Sequence, residues 1–157
     1  MKKLIFPFLI LGFLLTSCEN DDDVCVSGEA TPRLKIKFKS ADNKVLTLDS
    51  LYLDVDYGNN NILTVVRAAK VDSALVPIRV DDAGFTELYV RKTKKGSVSK
   101  IKLNYNTTSE YVSPACGFKR LYQNLSGTLE TANPVTKVEL NQNQIINENK
   151  AHLYLVF

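Results

Sequence analysis

The chain has 157 residues, 45% of them hydrophobic and 24% charged, with a formal net charge of +3 from 20 Lys+Arg against 17 Asp+Glu. So small a basic excess gives no electrostatic footprint for nucleic-acid binding, and one histidine with three cysteines leaves no His-rich metal centre or zinc pair. The size suits one domain around a single core.

Residues 1–17 read as a secretion signal. Lys2 and Lys3 make a positive start, and residues 4–15 form an apolar run broken only by Pro7 and Gly12. A membrane span needs about 20 apolar residues, so this run fits a cleaved signal better than its alternative, an uncleaved anchor. Leu15-Thr16-Ser17-Cys18 resembles the bacterial lipobox. The resemblance implies a diacylglyceryl group on the Cys18 thiol, cleavage before Cys18, and acylation of the new amine. Cleavage removes Lys2 and Lys3 and no acidic residue, leaving 18 basic against 17 acidic side chains. The precursor pI of 8.7 therefore overstates the basicity of the mature protein. Two or three acyl chains, at about 0.8 kcal/mol per buried CH₂, make membrane attachment effectively permanent.

Residues 18–32 are expected to form an acylated acidic tether. Glu19, Asn20, Asp21, Asp22 and Asp23 resemble the acidic export signal of Bacteroidota-type surface lipoproteins. The alternatives are a plain solvated tether and a calcium cluster, the latter without EF-hand spacing. With Cys18 acylated, Cys25 and Cys116 remain in an oxidising compartment. An even remainder there most simply makes one disulfide, and two unpaired thiols are the alternative. Closing so long a loop stabilises by about 4–5 kcal/mol on the chain-entropy account. It also pins the leader to the body beside Gly117-Phe118.

Residues 33–157 read as one all-β domain. Leu34, Ile36 and Phe38 alternate with Lys35, Lys37 and Lys39, the period-2 pattern of a strand with one buried face. Leu51, Leu53, Val55 and Tyr57 alternate with Tyr52, Asp54 and Asp56. After a turn at 58–61, the more continuous apolar run 62–68 suggests a strand buried on both faces. Pro77 within 75–80 points to an edge or bulge. Residues 81–84 turn the chain into a strand at 85–92, and Ile101, Leu103 and Tyr105 alternate again. Further strands are expected at 111–113, 118–123, 135–140 and 152–157. Phe118, Leu121, Tyr122 and Leu125 have helical spacing, but Gly117 and Gly127 bracket them closely and favour a strand. The expected architecture is an antiparallel β-sandwich, immunoglobulin-like or related, of about 8–9 strands. An outer-membrane barrel is disfavoured, because one face of the first strand is all lysine and a barrel needs no acyl anchor.

No G-x-S-x-G, P-loop or Gly-rich dinucleotide turn is present. His152 lies in an apolar terminal strand, a poor partner for a catalytic cysteine. Asp54 and Asp56 share a strand face and could form a paired-carboxylate device; the simpler reading is the solvated side of the strand. Arg91, Lys92, Lys94 and Lys95, with Lys100 and Lys102, make a basic hairpin. It suits lipopolysaccharide phosphates, an acidic glycan or an acidic partner, or simply guards a sheet edge. Tyr52, Tyr105, Tyr111 and Tyr122 offer a candidate sugar-stacking face, weakened by the absence of tryptophan. Asp49-Ser50-Leu51 and Asp72-Ser73-Ala74 match a loose O-glycosylation acceptor pattern. No metal or cofactor is expected.

Three motifs together carry a family resemblance: Asp22-Asp23-Val24-Cys25, Thr31-Pro32-Arg33-Leu34 and Ser113-Pro114-Ala115-Cys116-Gly117-Phe118. They resemble a Bacteroidota lipoprotein family of unknown function, over most of the chain. The resemblance implies an uncharacterised role at the outer membrane and supports pairing Cys25 with Cys116; it brings no activity. The expected function is non-enzymatic binding or scaffolding by a lipid-anchored outer-membrane protein, at the cell surface or, alternatively, on the periplasmic face. An outer-membrane β-barrel protein is the candidate partner. The alternative is a glycan-binding or glycan-processing surface lipoprotein.

Overall fold

Period-2 alternation decides which side chains meet in the core. In the computed structural model, which describes residues 30–157, nine strands and no helix are present among the described residues. The signal, Cys18, the acidic residues 19–23 and Cys25 lie outside them. The strands are β1 (Leu34–Lys39), β2 (Leu48–Asp56), β3 (Ile62–Val71), β4 (Ser73–Val76) and β5 (Phe85–Arg91). There follow β6 (Ser99–Ser113), β7 (Gly117–Thr131), β8 (Lys137–Leu140) and β9 (Leu153–Val156). They form two facing sheets, β4-β1-β9-β8 and β3-β2-β5-β6-β7, the expected β-sandwich. Pairing is antiparallel except between β1 and β9, which run parallel.

The alternating residues of β1 and β2 behave as their pattern requires. Leu34, Ile36 and Phe38 are fully buried and meet Leu51, Leu53 and Val55 from the opposite sheet within one apolar cluster. Leu88, Val90, Ile101, Leu103, Leu153 and Leu155 complete its centre. Each such Leu, Ile or Val contributes about 1.5–3 kcal/mol by leaving water.

Three elements differ from the pattern reading, each for a physical reason. Residues 62–68, expected to be buried on both faces, belong to β3, the edge strand of the five-stranded sheet; Ile62 and Leu63 are about half exposed. A run of apolar and β-branched residues does not say whether a strand is central or peripheral. The helix-like spacing of Tyr122 and Leu125 comes from a bulge in β7. The register with β6 shifts between Asn104 and Asn106, and Asn124 takes a left-handed φ of 53°. One extra residue turns both side chains inward, where they are buried. Finally, β6 and β7 are each 15 residues long and run well past the short strands expected there. Pairing with β5 ends at Asn104, so residues 106–113 and 117–123 form a two-stranded arm. Seven of these 15 residues are exposed and one, Tyr122, is buried, which removes the alternation that would reveal the arm.

The loop after β8 closes the sandwich beside β7. Ile145 is fully buried, and its N–H and C=O exchange hydrogen bonds with Tyr122 at 2.8 and 3.2 Å. Tyr122 packs edge-on against Tyr105, with ring centroids 5.0 Å apart. The buried Tyr122 hydroxyl has no hydrogen-bond partner among the described residues. An orphaned buried hydroxyl carries a desolvation cost, so Tyr122→Phe should leave stability unchanged or raise it by up to about 1 kcal/mol in urea unfolding. A loss larger than that would show that the hydroxyl is satisfied.

His152 sews the terminal strand to β1. The Lys35 N–H donates to His152 Nδ1 at 2.8 Å, and the His152 N–H donates to the Lys35 carbonyl at 2.8 Å. Accepting at Nδ1 requires a neutral imidazole. Burial holds its pKa below the ordinary 6.5, against a backbone hydrogen bond at Asn147 and the Glu148 charge. The unfolded chain thus takes up a proton near pH 6.5 that the folded chain refuses. The contribution is complete above that pH and is lost as the pH falls towards the folded value. Unfolding free energy should decline between about pH 7 and 5.5, by no more than about 1.4 kcal/mol per unit from this group. His152→Asn, which retains an acceptor, should flatten that decline; an identical slope in both proteins would contradict this origin.

Candidate functional site

The chain enters the sandwich beside the middle of the β6–β7 arm, and two contacts fix it there. The Arg120 N–H, on the outer strand of the arm, donates to Thr31 Oγ1 at 2.9 Å. Two residues later Arg33 forks onto Glu148, through Nε to Oε1 and Nη2 to Oε2, both at 2.8 Å. The Arg33 N–H adds a third bond to the same carboxylate at 2.9 Å. A planar guanidinium matches a carboxylate in this two-point way. The fork holds the Glu148 carboxyl below the usual carboxylate range and raises Arg33. Lys35 Nζ donates to the Glu148 carbonyl at 2.9 Å, so the 148–152 loop is stitched along residues 33–35. Between these elements lies a shallow groove of about 520 Å³, lined by residues 30–33, Lys119 and residues 146–148.

Cys116 lies in the turn at the tip of the arm, where its N–H donates to Ser113 Oγ at 3.1 Å. Gly117 follows with a φ of 66° and nothing near the position a Cβ would take. This conformation favours glycine and turns the chain back into β7. Just behind the tip, Tyr111 and Phe118 stack edge-on with centroids 5.4 Å apart, although they are 57% and 69% exposed. Lys119 pairs with Glu110 across the arm at 3.1 Å. Arg120 reaches both Ser109 Oγ at 2.9 Å and Asp82 at 3.1 Å, bracing the arm against the turn before β5.

The other sequence candidates do not gather into one site. The four tyrosines are dispersed: Tyr105 and Tyr122 are buried in the core, Tyr52 lies under Arg67 on the outer sheet face, and Tyr111 is on the arm. The sugar-stacking face expected from them is not formed, because β6 and β7 turn two of the rings inward. Asp54 is not the solvated residue its strand position suggested. It is 9% exposed, ion-paired to Arg91, and accepts from Thr64 Oγ1 at 2.6 Å. Asp56 instead accepts from the Gly58 N–H at 2.7 Å. The two carboxylates serve separate local bonds.

The basic stretch is partly neutralised where it stands. Besides Asp54, Arg91 donates to the Lys94 carbonyl at 3.1 Å. Lys92 lies 5.0 Å over the Phe157 ring and Lys102 lies 4.6 Å over Phe85. Lys100 bridges Glu87 and Glu130 at 2.9 and 3.1 Å. Burial pushes the Glu87 carboxyl up, but the bonds from Lys100 and Tyr89 outweigh it and leave it lowered. Lys94 and Lys95 remain exposed in the turn. That turn and the arm tip lie at opposite ends of β6, about 45 Å apart along a 15-residue strand. Of the glycosylation candidates, the Ser50 hydroxyl donates to the Lys92 carbonyl, and Ser73 donates to Asp72 at 3.0 Å.

Sequence reasoning missed the Arg33–Glu148 fork. The partners are 115 residues apart, and only their proximity in the fold reveals the pair. Arg33→Ala or Glu148→Ala should speed hydrogen exchange at the Arg33 amide and in the strand entry. For so exposed a pair, global stability should change by less than about 1 kcal/mol. Unchanged exchange at Arg33 would mean that the fork does not hold the entry.

The Family of unknown function (DUF6452) matches residues 46–157, a stretch that includes β2 to β9, and the chain belongs to that family. No curated protein and no solved structure matches the chain. The Ser113–Phe118 motif lies inside the matched stretch; the Asp22–Cys25 and Thr31–Leu34 motifs precede it.

Proposed function

We propose that this member of a family of unknown function is an outer-membrane lipoprotein of the Bacteroidota type. It is acylated on Cys18, carried to the cell surface by the acidic leader, and bound by a Cys25–Cys116 disulfide. Its β-sandwich performs no catalysis and binds or scaffolds a membrane partner, for which an outer-membrane β-barrel protein is the candidate. The anchor rests on the lipobox and its position behind a short apolar run. The observation that carries the reading beyond sequence is the bond between Thr31 and Arg120. Arg120 is four residues from Cys116, and Thr31 is six residues from Cys25. An extended chain of that length reaches about 20 Å, ample to bring the two cysteines within bonding range.

The physical consequence is a short leash. Cys25 follows Cys18 by seven residues, so the clamp holds the body within about 25 Å of the lipid. Whatever the sandwich binds, it binds close to the bilayer. The inward placement of Tyr105 and Tyr122 and the commitment of Asp54 favour this reading over a glycan site.

Three measurements test it. Mass analysis of the N-terminal peptide from native membranes should show cleavage before Cys18 with acyl additions; an unmodified Cys18 behind a retained signal would refute the anchor. Protease shaving of intact cells should cut the native protein and spare the Asp21→Ala/Asp22→Ala/Asp23→Ala variant. Equal protection of both would place the protein on the inner face. Pull-down from mild detergent should recover a stoichiometric barrel protein, and recovery of lipoprotein alone would count against scaffolding.

A further inference from the structure

We infer that the tip of the β6–β7 arm docks on the bilayer that holds the anchor, with Tyr111 and Phe118 seated in its interfacial layer. The inference rests on the lipoprotein reading and adds to it the surface that meets the membrane. Three observations carry it. The paired strands of the arm extend about 30 Å beyond the last β5 pair, with Ile145 bridged to Tyr122 and Thr31 bonded to Arg120 on the way to the tip. Just behind its tip it exposes two adjacent large aromatics, Tyr111 and Phe118, which meet edge to edge. The described chain begins beside this same arm, where Thr31 accepts from Arg120 halfway along it, and Cys116, the proposed partner of Cys25, lies at its tip.

The chemistry of the pair suits a lipid interface. An aromatic ring with a polar edge prefers the headgroup layer, where its body is buried and its hydroxyl stays wet. A single pair offers too little apolar area to hold a protein on a bilayer unaided. With the anchor keeping the body nearby, the local concentration of membrane is high, and a weak contact suffices to set orientation. The arm is also stiffened for such a role: Lys119 pairs with Glu110, and Arg120 braces it through Ser109 and Asp82. The predicted posture stands β6 away from the membrane. It directs the exposed Lys94 and Lys95 into the surroundings rather than towards lipid phosphates.

The chain contains no tryptophan, so a substituted one is a unique reporter. Phe118→Trp reports the arm; Val45→Trp is its control, equally exposed at 68% and bridged to Lys39 at the far end of β1. Full-length acylated protein of each kind is reconstituted into phosphatidylcholine vesicles containing a brominated phosphatidylcholine. Flotation and the acyl mass on Cys18 are checked on the same samples. The inference expects the tryptophan at 118 to be quenched severalfold more than the one at 45, with a blue-shifted emission. If the protein floats with its acyl chains and the two tryptophans are quenched alike, the docking inference is wrong and the anchor stands. Protection of position 118 from aqueous iodide in native membranes but not in vesicles would assign the tip to a protein partner and overturn the inference. If Cys18 carries no acyl mass and the protein stays at the bottom of the gradient, the anchor reading fails and this inference with it.

Discussion

The fork between Arg33 and Glu148, with the Arg120 amide on Thr31 beside it, is the constraint that gives this sandwich a direction. A β-sandwich has two ends, and its core alone does not distinguish them. Here the incoming chain is fastened at one end by a two-point guanidinium–carboxylate contact and by a strand amide. The same end carries the long arm, Cys116 and the exposed aromatic pair. The opposite end carries the Lys94–Lys95 turn and, nearby, Lys92 over Phe157. The proposed docking of the arm follows from this polarity, and the proposed anchor from the sequence around Cys18.

Stability is a separate matter and resides in the alternating residues. Leu34, Ile36 and Phe38 face Leu51, Leu53 and Val55 across the core, and β9 joins β1 in the one parallel pair among the described residues. The outer face of the five-stranded sheet is held by a lattice of charges: Arg91 with Asp54, and Lys100 with both Glu87 and Glu130. Lys100 is shared by its two glutamates, whereas Arg91 pairs with Asp54 while its buried Nε has no hydrogen-bond partner among the described residues. Partly exposed pairs of this kind contribute little each, and their larger effect is to keep register across neighbouring strands.

How much was legible in the sequence depends on whether a strand has one wet face and one dry face. β1, β2 and the first half of β6 do, and their alternation identified them, whereas β5 was read from the turn at 81–84 that precedes it. The arm has solvent on most sides, so residues such as Asn106, Thr108 and Ser109 carry no periodic signal. β3 has an apolar sequence but lies at an edge, a fact decided by the pairing of other strands. Tyr122 and Leu125 imitated a helix because a bulge at Asn124 inserts one residue between two inward positions. The four tyrosines were individually visible, yet their grouping was not, since burial of Tyr105 and Tyr122 depends on how β6 and β7 cross the core. Glu148 gave no local sign of its role, because its partner is 115 residues earlier.

The address and the fold meet in the leader. In the proposed reading Cys18 and the acidic residues after it specify attachment, and the entry fork fixes residue 33 at the end of the body that carries the arm. The link that joins the two is the proposed Cys25–Cys116 bond. Its most direct test is peptide mapping of the membrane-extracted protein, digested without reduction after free thiols are alkylated. The account predicts a single linked species containing the Cys25 and Cys116 peptides, released by reductant. Cys116 recovered with the alkyl label, or linked to a second copy of itself, would contradict it.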